Sequence, residues 1–310
     1  MATSFDIHPD MQALIEELSG MPESTTLVEE RAAWTAFCIS VARPRPGHIA
    51  VEDRLIPGRD RDIPIRLYRP RPEPGLPCTV YLHGGGWVLG NLDTNDSIAW
   101  GLAEGTGAAV VAVDYRLAPE DPYPAAFRDC QDVLAHLAGA GEELGVDPAR
   151  LAVCGDSAGG NLAAAVSLAA RDAGWPRLSA QALVYPVLGT DVNNESYRRN
   201  AEAPMLTRAE MIHYLDAYLG EARADPEPYA MPLAADDLGG LPPTLVHTAE
   251  FDPLRDEGKL YADRLKSAGN EVVYRCAERM IHGFLRARFA GGVARAEFDA
   301  LCSFLRRRLA

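Results

Sequence analysis

The stretch Gly155-Asp156-Ser157-Ala158-Gly159 sets a hydroxyl between two glycines in the pattern Gly-x-Ser-x-Gly. That pattern carries chemistry when a strand turns sharply into a helix. Such a turn holds the serine in a strained backbone conformation, exposes its hydroxyl and leaves no room for side chains on its flanks. Both flanks agree: the apolar run Leu151-Ala152-Val153-Cys154 precedes it, and Asn161, Leu162 and Ala165 begin a helical pattern after it. A serine so placed is a candidate nucleophile for acyl transfer. The rival for a glycine-rich helix start is a phosphate cradle, and neither the dinucleotide-binding nor the P-loop glycine spacing is met here.

Acyl transfer needs donors for the carbonyl oxygen that becomes negative. His83-Gly84-Gly85-Gly86-Trp87 follows the apolar run at 78–82, and consecutive glycines let backbone N–H groups converge on one point. The N–H of Ala158, one residue beyond the serine and at the positive end of the predicted helix, is a third donor. Folds built on this kind of turn carry their partners in the chain order serine, acid, histidine. Of the seven histidines, His8, His48, His83, His136, His213 and His247 come too early, which leaves His282 in Ile281-His282-Gly283-Phe284. His83 then reads as a brace for its loop. The acid belongs at the end of the preceding strand, where the run at 244–249 leads into Glu250-Phe251-Asp252-Pro253-Leu254-Arg255-Asp256-Glu257-Gly258. Three carboxylates compete there. Asp256 precedes a helical pattern and reads as a helix cap, Glu250 lies nearer the strand end, and Asp252 is favoured because Pro253 fixes the turn after it.

The elements that must position these residues follow from periodicity. Met11, Leu14, Ile15 and Leu18 share one helical face, Trp34, Phe37, Cys38 and Val41 share another, and Arg43-Pro44-Arg45-Pro46-Gly47 ends the pattern. A β-hairpin is expected from 49–56 and 63–68 across Pro57-Gly58-Arg59-Asp60. Apolar runs then recur at 78–82, 108–113, 151–154, 180–185 and 244–247, most of them followed by a helical stretch. That alternation argues for βαβ units and a mostly parallel sheet. A last strand over 271–276 and a helix over 293–309 close the series. Residues 189–238 interrupt it: Met205, Met211, Ile212, Leu215 and Leu219 suggest helix without an intervening strand. This reads as an insertion over the sheet that gives the N-terminal helical faces a partner.

A chain of 310 residues with 47% apolar residues can bury one large core. Its net charge of −14 repels nucleic-acid phosphates and anionic lipid headgroups. Residues 1–20 carry Asp6, Asp10, Glu16 and Glu17 and lack a basic start, so they do not read as a signal peptide. No stretch approaches the ~18 consecutive apolar residues of a membrane span. A cytoplasmic protein with neither a nucleic-acid partner nor membrane insertion is expected. The six cysteines are dispersed and form no C-x-x-C pair, so buried free thiols are expected rather than a metal site. Cys154 should point into the sheet, and no cofactor is needed for the chemistry above.

Five segments resemble, in order, the motifs of the bacterial hormone-sensitive-lipase family of esterases. They are His83-Gly84-Gly85-Gly86, Asp114-Tyr115-Arg116-Leu117-Ala118-Pro119-Glu120, Gly155-Asp156-Ser157-Ala158-Gly159-Gly160, Asp252-Pro253-Leu254-Arg255-Asp256-Glu257-Gly258 and His282-Gly283-Phe284. The resemblance implies an α/β-hydrolase fold, with a mostly parallel eight-stranded sheet, helices on both faces and an α-helical cap. The cap would comprise residues 1–45 and 189–238, over a catalytic domain of 46–188 and 239–310. It implies a catalytic triad of Ser157, Asp252 and His282. Gly85, Gly86 and Ala158 would donate to the oxyanion, Gly84 would shape the loop, Asp114 and Glu120 would be structural, and Asp156 would play a supporting role. The expected activity is hydrolysis of a small-molecule carboxylic ester with a short to medium acyl chain, and the family's habit of pairing makes a homodimer a candidate assembly. An amidase or deacetylase would use the same groups. A non-catalytic binding protein on this fold would lack the histidine, and His282 argues against it.

Overall fold

The computed structural model describes residues 5–310. Helices α1 (Gln12–Ser19) and α2 (Leu27–Ser40) come first. The second starts with a capping box in which the Thr26 hydroxyl accepts from the Glu29 N–H and the Glu29 carboxylate from that of Thr26. Next come β1 (Ala50–Pro57), β2 (Asp62–Arg69), β3 (Leu76–Leu82), α3 (Asp96–Thr106), β4 (Ala109–Val113), α4 (Ala125–Ala140), β5 (Val146–Asp156), α5 (Ala158–Ala173) and β6 (Ala180–Val184). The interruption holds α6 (Glu195–Arg199) and α7 (Arg208–Leu219). The chain finishes with β7 (Thr244–Phe251), α8 (Arg255–Ser267), β8 (Val272–Ile281) and α9 (Gly292–Leu309).

All eight strands form one sheet in the order β1-β2-β4-β3-β5-β6-β7-β8. The hairpin pairs antiparallel from Ala50↔Arg69 to Pro57↔Asp62, β2 meets β4 antiparallel, and the rest of the sheet is parallel. Alternate residues of the central strands feed opposite cores. Val80, Leu82, Val111, Val113 and Val153 pack with residues of α4 and α5, whereas Tyr81, Val110, Ala112, Ala152 and Cys154 pack with those of α3 and α9. Burial on both faces is why these strands read as unbroken apolar runs.

Where a strand is one-sided, the sequence signal fades. β8 lies at the sheet edge and continues past Cys276 to Ile281 through the charged Glu278 and Arg279, with a shift of register against β7 between Ala249 and Phe251. The extra length carries His282 to the end of β7. The proposed contact between the N-terminal helices and the insertion also needs correction. Met211 and Leu215 are buried in the main core, with Ile212 and Tyr214 packed against it, and of these residues and Met205 only Met205 and Tyr214 reach clusters that include Trp34. Helical spacing sets Tyr214 between the two surroundings, three residues after Met211 of the core face and three before Ala217, which packs with the Trp34 cluster. Among the described residues no helix is long and apolar enough to cross a membrane.

Candidate active site

The turn from β5 into α5 holds Ser157 at φ 58° and ψ −121°, a region that a non-glycine residue occupies only when its surroundings force it. A Cβ at Gly155 would collide with the Gly159 carbonyl, and one at Gly159 with the Leu82 carbonyl. The first glycine therefore closes the turn, while the second lets α5 approach the end of β3 and its loop.

His282 follows β8 directly. Its Nε2 lies 2.9 Å from Ser157 Oγ, and its Nδ1 lies 2.7 Å from Asp252 Oδ2. A carboxylate only accepts, so Nδ1 carries the proton and Nε2 is free to accept from the hydroxyl. Asp252 is fully buried; its other oxygen accepts the Leu254 N–H at 2.9 Å, and its backbone carbonyl accepts from Asn200 Nδ2 at 3.0 Å. Ser157 and His282 are each 7% exposed, just enough to face the cavity above.

The competing carboxylates point elsewhere. Glu250 accepts the Arg279 N–H at 2.7 Å. Asp256 does not cap α8 as expected, because the helix begins one residue earlier and its N-cap, Leu254, makes no side-chain bond. The Asp256 carboxylate takes the Ser196 N–H and the Arg255 Nε–H, each at 2.8 Å. His83 stacks on Tyr115 at 4.2 Å, its Nδ1 lies 2.9 Å from the Gly84 carbonyl, and burial lowers its pKa, as befits a neutral brace. Glu120 grips Arg31 of α2 through both oxygens. Cys154 is buried, and burial pushes its thiol well above the ordinary range, which keeps it inert.

On the oxyanion side, the Gly84 N–H is already committed to Asp156 Oδ1 at 3.0 Å, and the same oxygen accepts the Tyr81 hydroxyl at 2.6 Å. The N–H groups of Gly85, Gly86 and Ala158 have no backbone acceptor among the described residues. Gly86 sits at φ 60°, and the Tyr214 ring lies where its Cβ would be. Tyr214 thus roofs the loop from α7.

The cavity in front of Ser157 has a volume of about 200 Å³. Leu18, Met21 and Trp34 wall it from the N-terminal segment; Met205, Leu206, Met211 and Tyr214 wall it from the insertion. Met205 stands at φ 74°, with its methyl 2.9 Å from where a Gly283 Cβ would lie. Arg286 also lines the cavity; it is buried beneath Trp34, donating to the Thr94 carbonyl at 2.7 Å and to Asn95 Oδ1 at 2.9 Å. Sequence reasoning missed Tyr81, Asn200, Tyr214 and Arg286. None belongs to a motif that announces chemistry, and only a helix face could have pointed to Tyr214.

A mostly parallel eight-stranded sheet with serine, histidine and carboxylate meeting above it defines an α/β-hydrolase. The family described as an alpha/beta hydrolase fold matches residues 79–286. The carboxylesterase NlhH of Mycobacterium tuberculosis is 45% identical over 243 residues, covering 76% of each chain. The ethyl acetate hydrolase of Pseudomonas putida is 36% identical over 243 residues, again 76% of each. Among solved structures, a thermostable esterase from Pseudomonas putida ECU1011 has a TM-score of 0.93 and 36% identity over 98% of both chains. The chain belongs to this α/β-hydrolase family and is a carboxylic ester hydrolase, as its likeness to the hormone-sensitive-lipase esterases implied.

Proposed function

We propose that Ser157, His282 and Asp252 are the catalytic triad of this ester hydrolase, that Gly85, Gly86 and Ala158 form its oxyanion hole, and that its substrates carry short to medium acyl chains. The unbroken chain of bonds from Ser157 through His282 to Asp252, at 2.9 and 2.7 Å, carries the assignment. His282 accepts the Ser157 proton as Oγ attacks the ester carbonyl, and Asp252 holds the ring and stabilises the imidazolium. The three N–H groups with no other duty receive the developing oxyanion. His282 then gives its proton to the departing alkoxide. Water, deprotonated by the same imidazole, releases the acid from the acyl-enzyme.

Residues 1–45 and 189–238 act in this reading as a cap over the catalytic body of 46–188 and 239–310. The support is that both segments wall the cavity. Its small volume, and a relative named for ethyl acetate, favour short acyl groups. Six free cysteines suit the reducing cytoplasm. The open edge of β8, with Val273 exposed, is where two copies would pair into a homodimer.

A series of p-nitrophenyl esters from acetate to palmitate tests the reading, with Ser157→Ala as its control. Turnover should peak at about C4–C8, and the variant should lose roughly 10⁴–10⁶-fold in kcat while its melting temperature is kept. A best rate at C16 would require an open cap, and near-normal turnover by the variant would remove Ser157 from the mechanism. An ester compared with its isosteric amide separates esterase from amidase.

A further inference from the structure

Behind the turn that follows His282, the chain buries an arginine whose two terminal nitrogens find no hydrogen-bond partner among the described residues. Arg288 is 6% exposed, and its Cζ lies 4.4, 4.4 and 4.3 Å from the ring centres of Trp100, Phe289 and Phe298. Aromatic faces attract a guanidinium, yet they offer no acceptor in the plane of its N–H groups. Nη1 and Nη2 have no hydrogen-bond partner among the described residues. Unpaired donors on a buried cation are costly, and native folds seldom leave them so.

The surroundings leave room for an acceptor, and none of the described residues brings one within hydrogen-bond distance of Nη1 or Nη2. A Cβ at Gly101 of α3 would collide with Nη1, so only glycine admits the guanidinium against that helix. A cavity of about 80 Å³ remains beside it, bounded by Glu104, Arg295, Asp299 and Cys302. The Glu104 side chain is half exposed and lies 3.7 Å from His48 Nε2. Burial pulls the Arg288 pKa down to about 10, with Cys302 and Glu104 opposing only in part. The catalytic cavity shares none of these lining residues.

We propose that this cavity binds a small oxyanion, a carboxylate or a phosphate, on the paired Nη1 and Nη2 donors of Arg288. The planar fork of a guanidinium matches two oxygens of such an anion. The three rings then shield the charge on either side, and the volume admits only a few heavy atoms.

Thermal unfolding in sodium chloride, acetate and phosphate, at fixed pH and ionic strength, tests this. Acetate or phosphate should raise the melting temperature saturably, by roughly 4 °C at a hundredfold excess over Kd, while chloride should not. Whichever anion acts identifies the source. Arg288→Met should abolish the shift. If that variant does not fold, Arg288→Lys keeps the charge without the fork and should raise the half-saturating concentration at least tenfold. An equal shift in the variant would place the anion elsewhere, for example at the oxyanion hole. No anion-specific shift at all would mean that water or a swung Glu104 satisfies Arg288. Either result overturns the proposal.

Discussion

Asp156 stands beside the nucleophile without touching the reacting atoms, yet it joins the two loops that must act together. Its Oδ1 accepts from the Tyr81 hydroxyl and from the Gly84 N–H, so the residue before the serine fixes the loop that carries Gly85 and Gly86. Burial and the Asp156 charge both push the Tyr81 hydroxyl pKa up, so it stays a donor. Asp156→Asn keeps the shape and the acceptor but removes the charge, and a charge-assisted bond is about twice as strong as a neutral one. The expected loss of about 1–2 kcal/mol corresponds to roughly a tenfold drop in kcat. KM should change little, because these donors engage their oxygen fully only in the transition state. Steady-state kinetics on one ester reads the split, and an unchanged kcat would show that glycine geometry alone sets the loop.

At the scale of elements, α9 depends on a residue from the far end of the chain. Its own N-cap is Gly291, which has no side chain to offer. Asp10 Oδ2 instead accepts the N–H groups of Val293 and Ala294 at 2.9 and 3.0 Å, and a Cβ at Gly291 would collide with that carboxylate. Asp10→Ala should therefore lower stability by about 1 kcal/mol, or roughly 1–2 °C in melting temperature for a chain of this length. Esterase activity at room temperature should be unaffected, and differential scanning calorimetry beside an activity assay separates the two. The N-terminal segment thus does two jobs. Met11 and Asp10 secure α9 in the core beneath the sheet, while Leu18, Met21 and Trp34 wall the catalytic cavity. Removing residues 1–45 would consequently destabilise the body as well as open the cavity.

For the whole molecule, the telling group is Glu257, buried in the first turn of α8. Its Oε1 accepts the Leu188 N–H at 2.8 Å, where the chain leaves the sheet for the insertion. Burial raises its pKa well above the usual 4.5; the Leu188 bond opposes this, and the nearby Asp252 charge adds to it. A carboxyl that holds its proton more tightly in the native state contributes stability below pH 4.5. That contribution is lost progressively as pH rises from there through the native pKa. Glu257→Gln stays neutral, so its stability relative to the parent should improve as pH rises from about 5 to 8. Urea unfolding of both proteins across that range measures the difference. Parallel curves would mean that Glu257 does not ionise differently in the two states.

Much of this was legible in the sequence because it is local. Double burial made the central strands continuous apolar runs, and two tight approaches required Gly155 and Gly159 around Ser157. Chain order then left only His282 as its partner. What depends on how elements meet was not legible. Glu250, Asp252 and Asp256 lie within a few residues of one another, and the register shift against β8 and the early start of α8 decide which of them faces His282. Committing the Gly84 N–H to Asp156, while those of Gly85 and Gly86 stay unengaged, required β3 and β5 to lie side by side. Tyr214 over Gly86, Asn200 on the Asp252 carbonyl and Asp10 on α9 join segments far apart in the chain. Periodicity records which face of an element is buried, not what it is buried against, so tertiary packing alone could choose these partners.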